Sequence, residues 1–467
     1  MAKQHDNAKE RKEAVQKFEL MLKHDASIFF ESHEYEYIIA HYIEKSHWKY
    51  AVKACDMAIS QYPYSILFLL DKASVLAQKK NYAEAHELLD YAENLQPNDV
   101  DIIIARSQLF IQKGELEKNI DYLKYAIEIS TEPEVIYFHL GLGYQAVGDF
   151  DQAILFHQKA LEQDIENEEV FFELAFCFDM SGKLEESISY YQKFIDQDPY
   201  SHYAWYNLGL VYSKLEKYEE AMTAYDYATL IKEEFPSAWF NLGNTFYSLQ
   251  RYADAIESYK KVLEHEDPSA ETYCYLGNCY EKLDQNEAAY ENYKEALKLD
   301  SNFAEALYGA SLCLDKNNKW IEAYKYIRKA VDLDIENGDY WLALADVEEK
   351  IGNMTYAMEA YDKATTLSPN NPEGWLNWSL AYHEQGEYEK AFSIANQGIV
   401  DNPDSAELYY HATVYLIHQG KYREALDFLQ NALILNFDMH TILFEFFTNL
   451  EVQKGLYKII EQYNQKG

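Results

Sequence analysis

Large apolar residues return along this chain at a fixed step. From Tyr35, moving 34 residues at a time, the register falls on Leu69, Ile103, Tyr137, Phe171, Trp205, Trp239, Tyr273, Leu307, Trp341, Trp375, Tyr409 and Leu443 without an insertion or deletion. Sixteen residues after each of the first twelve comes a small side chain: Ala51, Ala85, Ala153, Ala221, Ala255, Ala289, Ala323, Ala357, Ala391 and Ala425, with Asn119 and Ser187 in the same column. Seven further on runs a second small column, Ala58, Ala92, Ala126, Ala160, Ala228, Ala296, Ala330, Ala364 and Ala432, interrupted by Phe194, Val262 and Gly398. Small residues at i and i+7 share one helical face and let a second helix approach closely, while large residues of the first helix fill the space beside them. The pattern predicts a helical hairpin repeated down the chain.

The punctuation agrees. Tight turns such as Gly148-Asp149, Gly182-Lys183, Gly352-Asn353, Gly386-Glu387 and Gly420-Lys421 separate the two helices, glycine supplying the positive φ that ends a helix. Proline is expelled from helix interiors at about 3 kcal/mol, by its missing donor and its ring. Pro63, Pro97, Pro133, Pro199, Pro236, Pro268, Pro369, Pro372 and Pro403 all fall at junctions between units. At the N-terminal end EAVQKFELML, with Ala14, Phe18 and Met21, reads as a lone helix stacked ahead of the first unit, although Ala14 to Ala51 is 37 residues rather than 34. FEFFTNLEVQKGLYKIIEQY closes the other end, where a solenoid must cap its exposed core.

Trp205, Leu208, Gly209, Tyr212, Ala221 and Tyr225 follow the pattern W-x2-L-G-x2-Y, then A-x3-F, on the 34-residue period. On these residues the chain resembles the tetratricopeptide repeat family. The resemblance divides it into an N-terminal capping helix over 1–31, twelve units over 32–439 starting at 32, 66, 100, 134, 168, 202, 236, 270, 304, 338, 372 and 406, and a shortened repeat with capping helices over 440–467. It implies an all-α, right-handed superhelix of helix-turn-helix repeats. The first helix of each pair would line a concave groove, with positions 2, 5, 6, 9, 12 and 13 of the unit facing inward. It also implies a non-catalytic scaffold or adaptor that binds a peptide or partner protein in that groove. Two alternatives stand beside it: a structural subunit of an oligomeric assembly, and a regulatory arm of an enzyme carried on another chain.

Recurrent positions are spent on packing, so function is sought at the variable inner ones. Position 5 forms an apolar ladder that includes Phe138, Phe172, Tyr206 and Phe240, joined at position 9 by Phe176 and Leu210. These side chains either pack between neighbouring first helices or form an apolar seat for a ligand. Asn207 and Asn241 at position 6, with Asn244 and Asn278 at position 9, are similar to the asparagine ladders by which some family members hold extended peptides. A carboxamide both donates to and accepts from a peptide backbone, and it equally serves local helix-helix bonding. The clamp that receives the acidic tails of Hsp70 or Hsp90 needs Lys or Arg at inner positions; positions 2, 5 and 6 carry none, so such an adaptor is not expected. Glu271, Glu305, Asp339, Glu373 and Glu407 at position 2, and Lys282, Lys316 and Lys350 at position 13, complement the helix dipole.

Composition narrows the classes. A net charge of -38 repels phosphate backbones and acidic membrane faces, leaving basic or apolar protein partners and excluding nucleic acid and membrane. The 43 Tyr suit half-buried positions on a repeated surface. Only 17 Gly and 9 Pro are present, without a linker-like stretch, which favours one continuous helical body. Cys55, Cys177, Cys274, Cys279 and Cys313 have no metal spacing and read as reduced thiols within helices. The start of the chain lacks the apolar core and cleavage site of a signal peptide, and no window approaches the roughly 18 apolar residues of a spanning helix, so a cytoplasmic protein is expected. His411 and His418 are seven apart, about 10 Å along a helix and too far for joint ligation, so they and His383 read as ordinary surface or groove histidines. With no phosphate loop, G-x-S-x-G or HExxH motif, the sequence supports no enzyme, cofactor or metal assignment.

Overall fold

A computed structural model describes residues 2–24, 28–130, 132–165, 167–447 and 450–464. Among the described residues every regular element is a helix. By contact the chain divides into two compact units, Met1–Glu233 and Glu234–Gly467.

In the first unit a helix at Ala2–His24 precedes six hairpins: Ser32–Glu44 with Trp48–Gln61, Ile66–Gln78 with Tyr82–Leu95, Val100–Lys113 with Leu116–Ile129, Pro133–Ala146 with Phe150–Leu161, Glu168–Met180 with Leu184–Gln197, and His202–Lys214 with Tyr218–Ile231. The second unit continues with Pro236–Ser248 and Tyr252–His265, Ala270–Lys282 and Asn286–Leu299, Ala304–Lys316 and Trp320–Leu333, Gly338–Ile351 and Met354–Leu367, Pro372–Glu384 and Tyr388–Asp401, and Ala406–His418 and Tyr422–Leu435. It closes on a 3-10 turn at Phe437–Thr441, a short helix at Ile442–Phe446 and the helix Leu450–Asn464.

Each hairpin turns at the same register position through a left-handed residue. Six of these are glycines, Gly114, Gly148, Gly182, Gly352, Gly386 and Gly420; the other six, Ser46, Lys80, Glu216, Gln250, Asp284 and Asn318, adopt φ of 54 to 61° without one. The following amide closes the turn, as Arg251 does by donating to the Phe246 carbonyl at 2.8 Å. Satisfying an otherwise orphaned C-terminal carbonyl offsets the left-handed strain. Pro133, Pro236 and Pro372 occupy the first turn of their helices, where the missing donor costs nothing.

Both small columns are buried. Glycine at position 8 of three first helices admits a tyrosine of the second: a methyl added at Gly209, Gly243 or Gly277 would lie 2.6, 2.7 or 2.5 Å from the ring of Tyr225, Tyr259 or Tyr293. The hairpin of Glu168–Met180 departs from this plan. Phe194 stands in its second small column, and Phe171 meets Phe194 edge-on at 5.2 Å and stacks with Tyr191 at 6.4 Å. Wedged by these rings, its helices touch over a shorter stretch than those of its neighbours.

The end elements cap the core. Ala14, Val15, Phe18 and Met21 are buried with Phe30, Tyr35, Ile38 and Tyr42, and Lys17 reaches Glu34 at 2.8 Å. At the other end Leu456 and Ile460 join Leu443, Leu429 and Leu433. All five cysteines are buried and unpaired. Burial pushes the Cys177, Cys274, Cys279 and Cys313 thiols up to about 12. No described helix is long and apolar enough to cross a membrane.

Candidate functional site

The position-5 ladder splits in the structure. Phe138 is buried, packing 5.7 Å from the ring of His157, and Tyr206 is buried 5.9 Å from Tyr225. Both serve the cores of their own hairpins. Phe172 is 51% exposed and Phe176 45% exposed. With Met180, also exposed, they stand one turn apart along one face of Glu168–Met180, and Phe176 meets Phe150 edge to face at 6.2 Å. The cause lies next door in sequence: Phe171 already fills the core against Tyr191, Phe194 and Tyr203, so Phe172 turns outward. Leu210 is half-buried. In the second unit Phe240 is half-buried between Tyr259 and Tyr275, at 5.7 and 5.5 Å.

The asparagines divide in the same way. Asn207, in the first unit, is 3% exposed and donates to the Tyr203 carbonyl of its own helix at 2.9 Å. In the second unit Asn241 is half-buried, and its backbone carbonyl accepts from the Thr245 hydroxyl at 2.8 Å. The Tyr259 hydroxyl donates to Asn244 Oδ1 at 2.6 Å, and that of Tyr293 to Asn278 Oδ1 at 2.7 Å. These two carboxamides therefore hold the second helix with their oxygens and keep their NH2 groups for other partners. Tyr361 repeats the motif on carboxylates, its hydroxyl 2.7 Å from both Asp346 Oδ1 and Glu349 Oε2.

Stretches 136–170, 169–201, 190–223, 236–267, 270–303 and 315–372 match tetratricopeptide repeat models. The chain belongs to the tetratricopeptide repeat family. Among solved structures it is similar to YrrB, described as a TPR protein with an unusual peptide-binding site, at 22% identity over 42% of this chain and 97% of that one, with a TM-score of 0.36. The APC/C hetero-tetramer Cut9-Hcn1 is similar at 13% identity over 83% of this chain and 97% of that one, with a TM-score of 0.44. MamA is similar at 22% identity over 36% and 92%, with a TM-score of 0.34. No curated protein sequence matches the chain.

Three features of these tetratricopeptide hairpins escape a column-by-column reading. First, position-13 lysines bridge to the acid at position 12 of the preceding first helix: Lys214 to Asp179 at 2.7 Å, Lys316 to Glu281 at 3.5 Å and Lys350 to Asp315 at 2.6 Å. Half-exposed pairs of this kind contribute about 0–1 kcal/mol each and fix register more than stability. Second, two inner acids are desolvated. Burial pushes Asp346 up to about 6 although Tyr361 and Asn377 bond it, and burial with the nearby Glu36 charge pushes Asp71 up to about 6 with no hydrogen bond from any described residue. Third, the histidines cluster. His383 lies 5.1 Å from His418 and 5.3 Å from Tyr415, while His411 is buried with Nδ1 3.1 Å from the Tyr415 hydroxyl. Phe446 of the closing helix packs on both His383 and His411, so these rings form a capping core rather than an ordinary groove surface. Among the described residues no three His, Cys, Asp or Glu side chains converge as metal ligands.

Proposed function

We propose that the protein is a non-catalytic interaction scaffold in which the inner face of the first helices in the Met1–Glu233 unit receives a segment of a partner protein, with Phe172 and Phe176 as its apolar anchors. The observation that carries this reading is their exposure, 51% and 45%: Phe172 stands open at position 5, where Phe138 and Tyr206 are buried, and Phe176 at position 9, where Leu210 is half-buried. A large ring held half in water on a rigid helix is inexpensive to dock: burying what remains of each contributes about 1–2 kcal/mol, with little further loss of backbone freedom.

The test pans a random-peptide display library against the full-length wild type and a Phe172→Ala/Phe176→Ala variant. The two rings are half-exposed, so helicity should be unchanged by circular dichroism. Wild-type-selected peptides are expected to bind the variant at least tenfold more weakly. Equal affinity for both proteins would remove Phe172 and Phe176 from the site.

A further inference from the structure

The first helices Ile66–Gln78 and Val100–Lys113 enclose between them an open cavity of about 480 Å³. Its apolar wall includes Ile66, Leu67, Leu70 and Ile104, and its polar side carries Asp71, Asp99 and Asp101. The volume falls in the range of about 300–1,000 Å³ typical of ligand sites.

The three carboxylates are not equivalent. Asp99 spends an oxygen on its own helix, accepting from the Asp101 and Ile102 amides at 3.0 and 3.3 Å. Asp101 is exposed at the rim. Asp71 is the anomaly: it is half-buried on the cavity wall and bonded by no described residue, and Glu36 of the preceding first helix adds a repelling charge. The cations on these two helices are engaged elsewhere. Lys72 bridges to Asp56 at 2.8 Å and Glu84 at 3.7 Å, and Arg106 to Asp90 at 2.9 Å and Glu93 at 2.8 Å. Asp346 in the second unit is desolvated too, but Tyr361 and Asn377 occupy it. Asp71 instead lines the open cavity.

We infer that this cavity is a subsite for a basic side chain of the docked segment: an arginine or lysine whose head pairs with Asp71 while its stem, with an adjacent aliphatic residue, lies on Leu67, Leu70 and Ile104. Long cationic side chains match such a site because they combine an apolar stem with a charged head. A desolvated carboxylate lacking a partner is costly, and a cation recovers that cost on binding. The excess of negative charge over free cations in the cavity selects the same sign. The inference rests on the reading that the inner face receives a protein segment, and it adds what that segment carries.

The experiment extends the library selection to Asp71→Asn and Asp71→Glu in the full chain, with Phe172→Ala/Phe176→Ala in parallel. Wild-type selections are expected to be enriched about tenfold over the naive library in Arg or Lys next to Leu, Ile, Val or Met. Asp71→Asn should lose that enrichment and bind a wild-type-selected basic peptide at least tenfold more weakly; Asp71→Glu should keep the preference. A thermal melt checks Asp71→Asn, which removes a buried charge and should melt no lower than wild type. No basic enrichment in the wild type, or the same enrichment in Asp71→Asn, overturns the subsite. If enrichment survives there and affinity falls only in the Phe172→Ala/Phe176→Ala protein, the apolar seat stands and the basic subsite falls. The opposite pattern removes the seat and keeps the subsite. Selected peptides sensitive to neither variant overturn both.

Discussion

Gly277→Ala should destabilise its hairpin although alanine is the better helix former. An added methyl would lie 2.5 Å from Tyr293 Cε1, about 0.9 Å inside the 3.4 Å at which ordinary contact begins. The ring cannot retreat, because it also abuts Gly309 of the next hairpin, where a methyl would lie 2.3 Å from Tyr293 Cζ. Overpacking of this kind costs about 1–3 kcal/mol. A displaced ring also strains the hydroxyl's bonds to Asn278 Oδ1 at 2.7 Å and Glu281 Oε2 at 3.1 Å, at about 1 kcal/mol each. Helix propensity returns about 1 kcal/mol, so a net loss of about 2–4 kcal/mol is expected. The cost rests on Gly309, which holds Tyr293 from the other side: in the hairpin after next Ala345 does face a tyrosine, Tyr361, whereas in the next hairpin Ser311 at position 8 faces Ile327. Tyr293→Ile should therefore rescue Gly277→Ala, with a coupling of about 1–2 kcal/mol. Repeat arrays unfold with limited cooperativity, so the readout is local: amide exchange of peptides from 270–299 in all four members of the cycle. Faster exchange in Gly277→Ala, relieved in the double variant, is the expected result. Protection equal to or above wild type in Gly277→Ala, or an unrelieved loss in the double variant, would refute the reasoning.

Two further outcomes follow from buried polar groups in the second unit. His411 is pushed down to about 4 by burial, and His383 and His418 are lowered for the same reason. A histidine depressed on folding contributes stability that is full above its unfolded value near 6.5 and lost as pH falls toward the folded value, here by up to about 3 kcal/mol for His411. Asp346, raised to about 6, pulls the other way over part of that window, so the measurement is a difference. Urea midpoints from pH 7.5 to 4.5 should fall more steeply in wild type than in His411→Gln, and parallel curves would exclude the cluster. Tyr361→Phe removes the hydroxyl shared by Asp346 and Glu349 and should cost about 1–3 kcal/mol in a chemical melt at pH 7.5. The loss should shrink at pH 5, where both carboxyls, raised by burial, are more nearly neutral.

The hairpins were legible because their period fixes which faces meet, and even the turns without glycine obey it. Nothing in the local sequence of Lys80, Glu216 or Gln250 announces a left-handed residue, yet each stands where another hairpin places Gly114 or Gly148. The inner face was less legible, because a column compares equivalent positions and ignores the helix behind each one. Phe138 and Phe172 share a column and a residue type but not a fate. His157 draws Phe138 into its hairpin core, whereas Phe171, Tyr191 and Phe194 leave no room for Phe172. The column likewise gives no sign that Tyr259 and Tyr293 bond the side-chain oxygens of Asn244 and Asn278, which those rings reach because Gly243 and Gly277 admit them. His411 and His418 lie two turns apart on one helix, while His418 meets His383 of the neighbouring hairpin at 5.1 Å. In each case the deciding residue sits on another element at a position that is itself variable. An inner side chain is free for a partner only where its own second helix does not use it, and Phe172, Phe176 and Asp71 meet that condition while Phe138, Tyr206 and Asp346 do not.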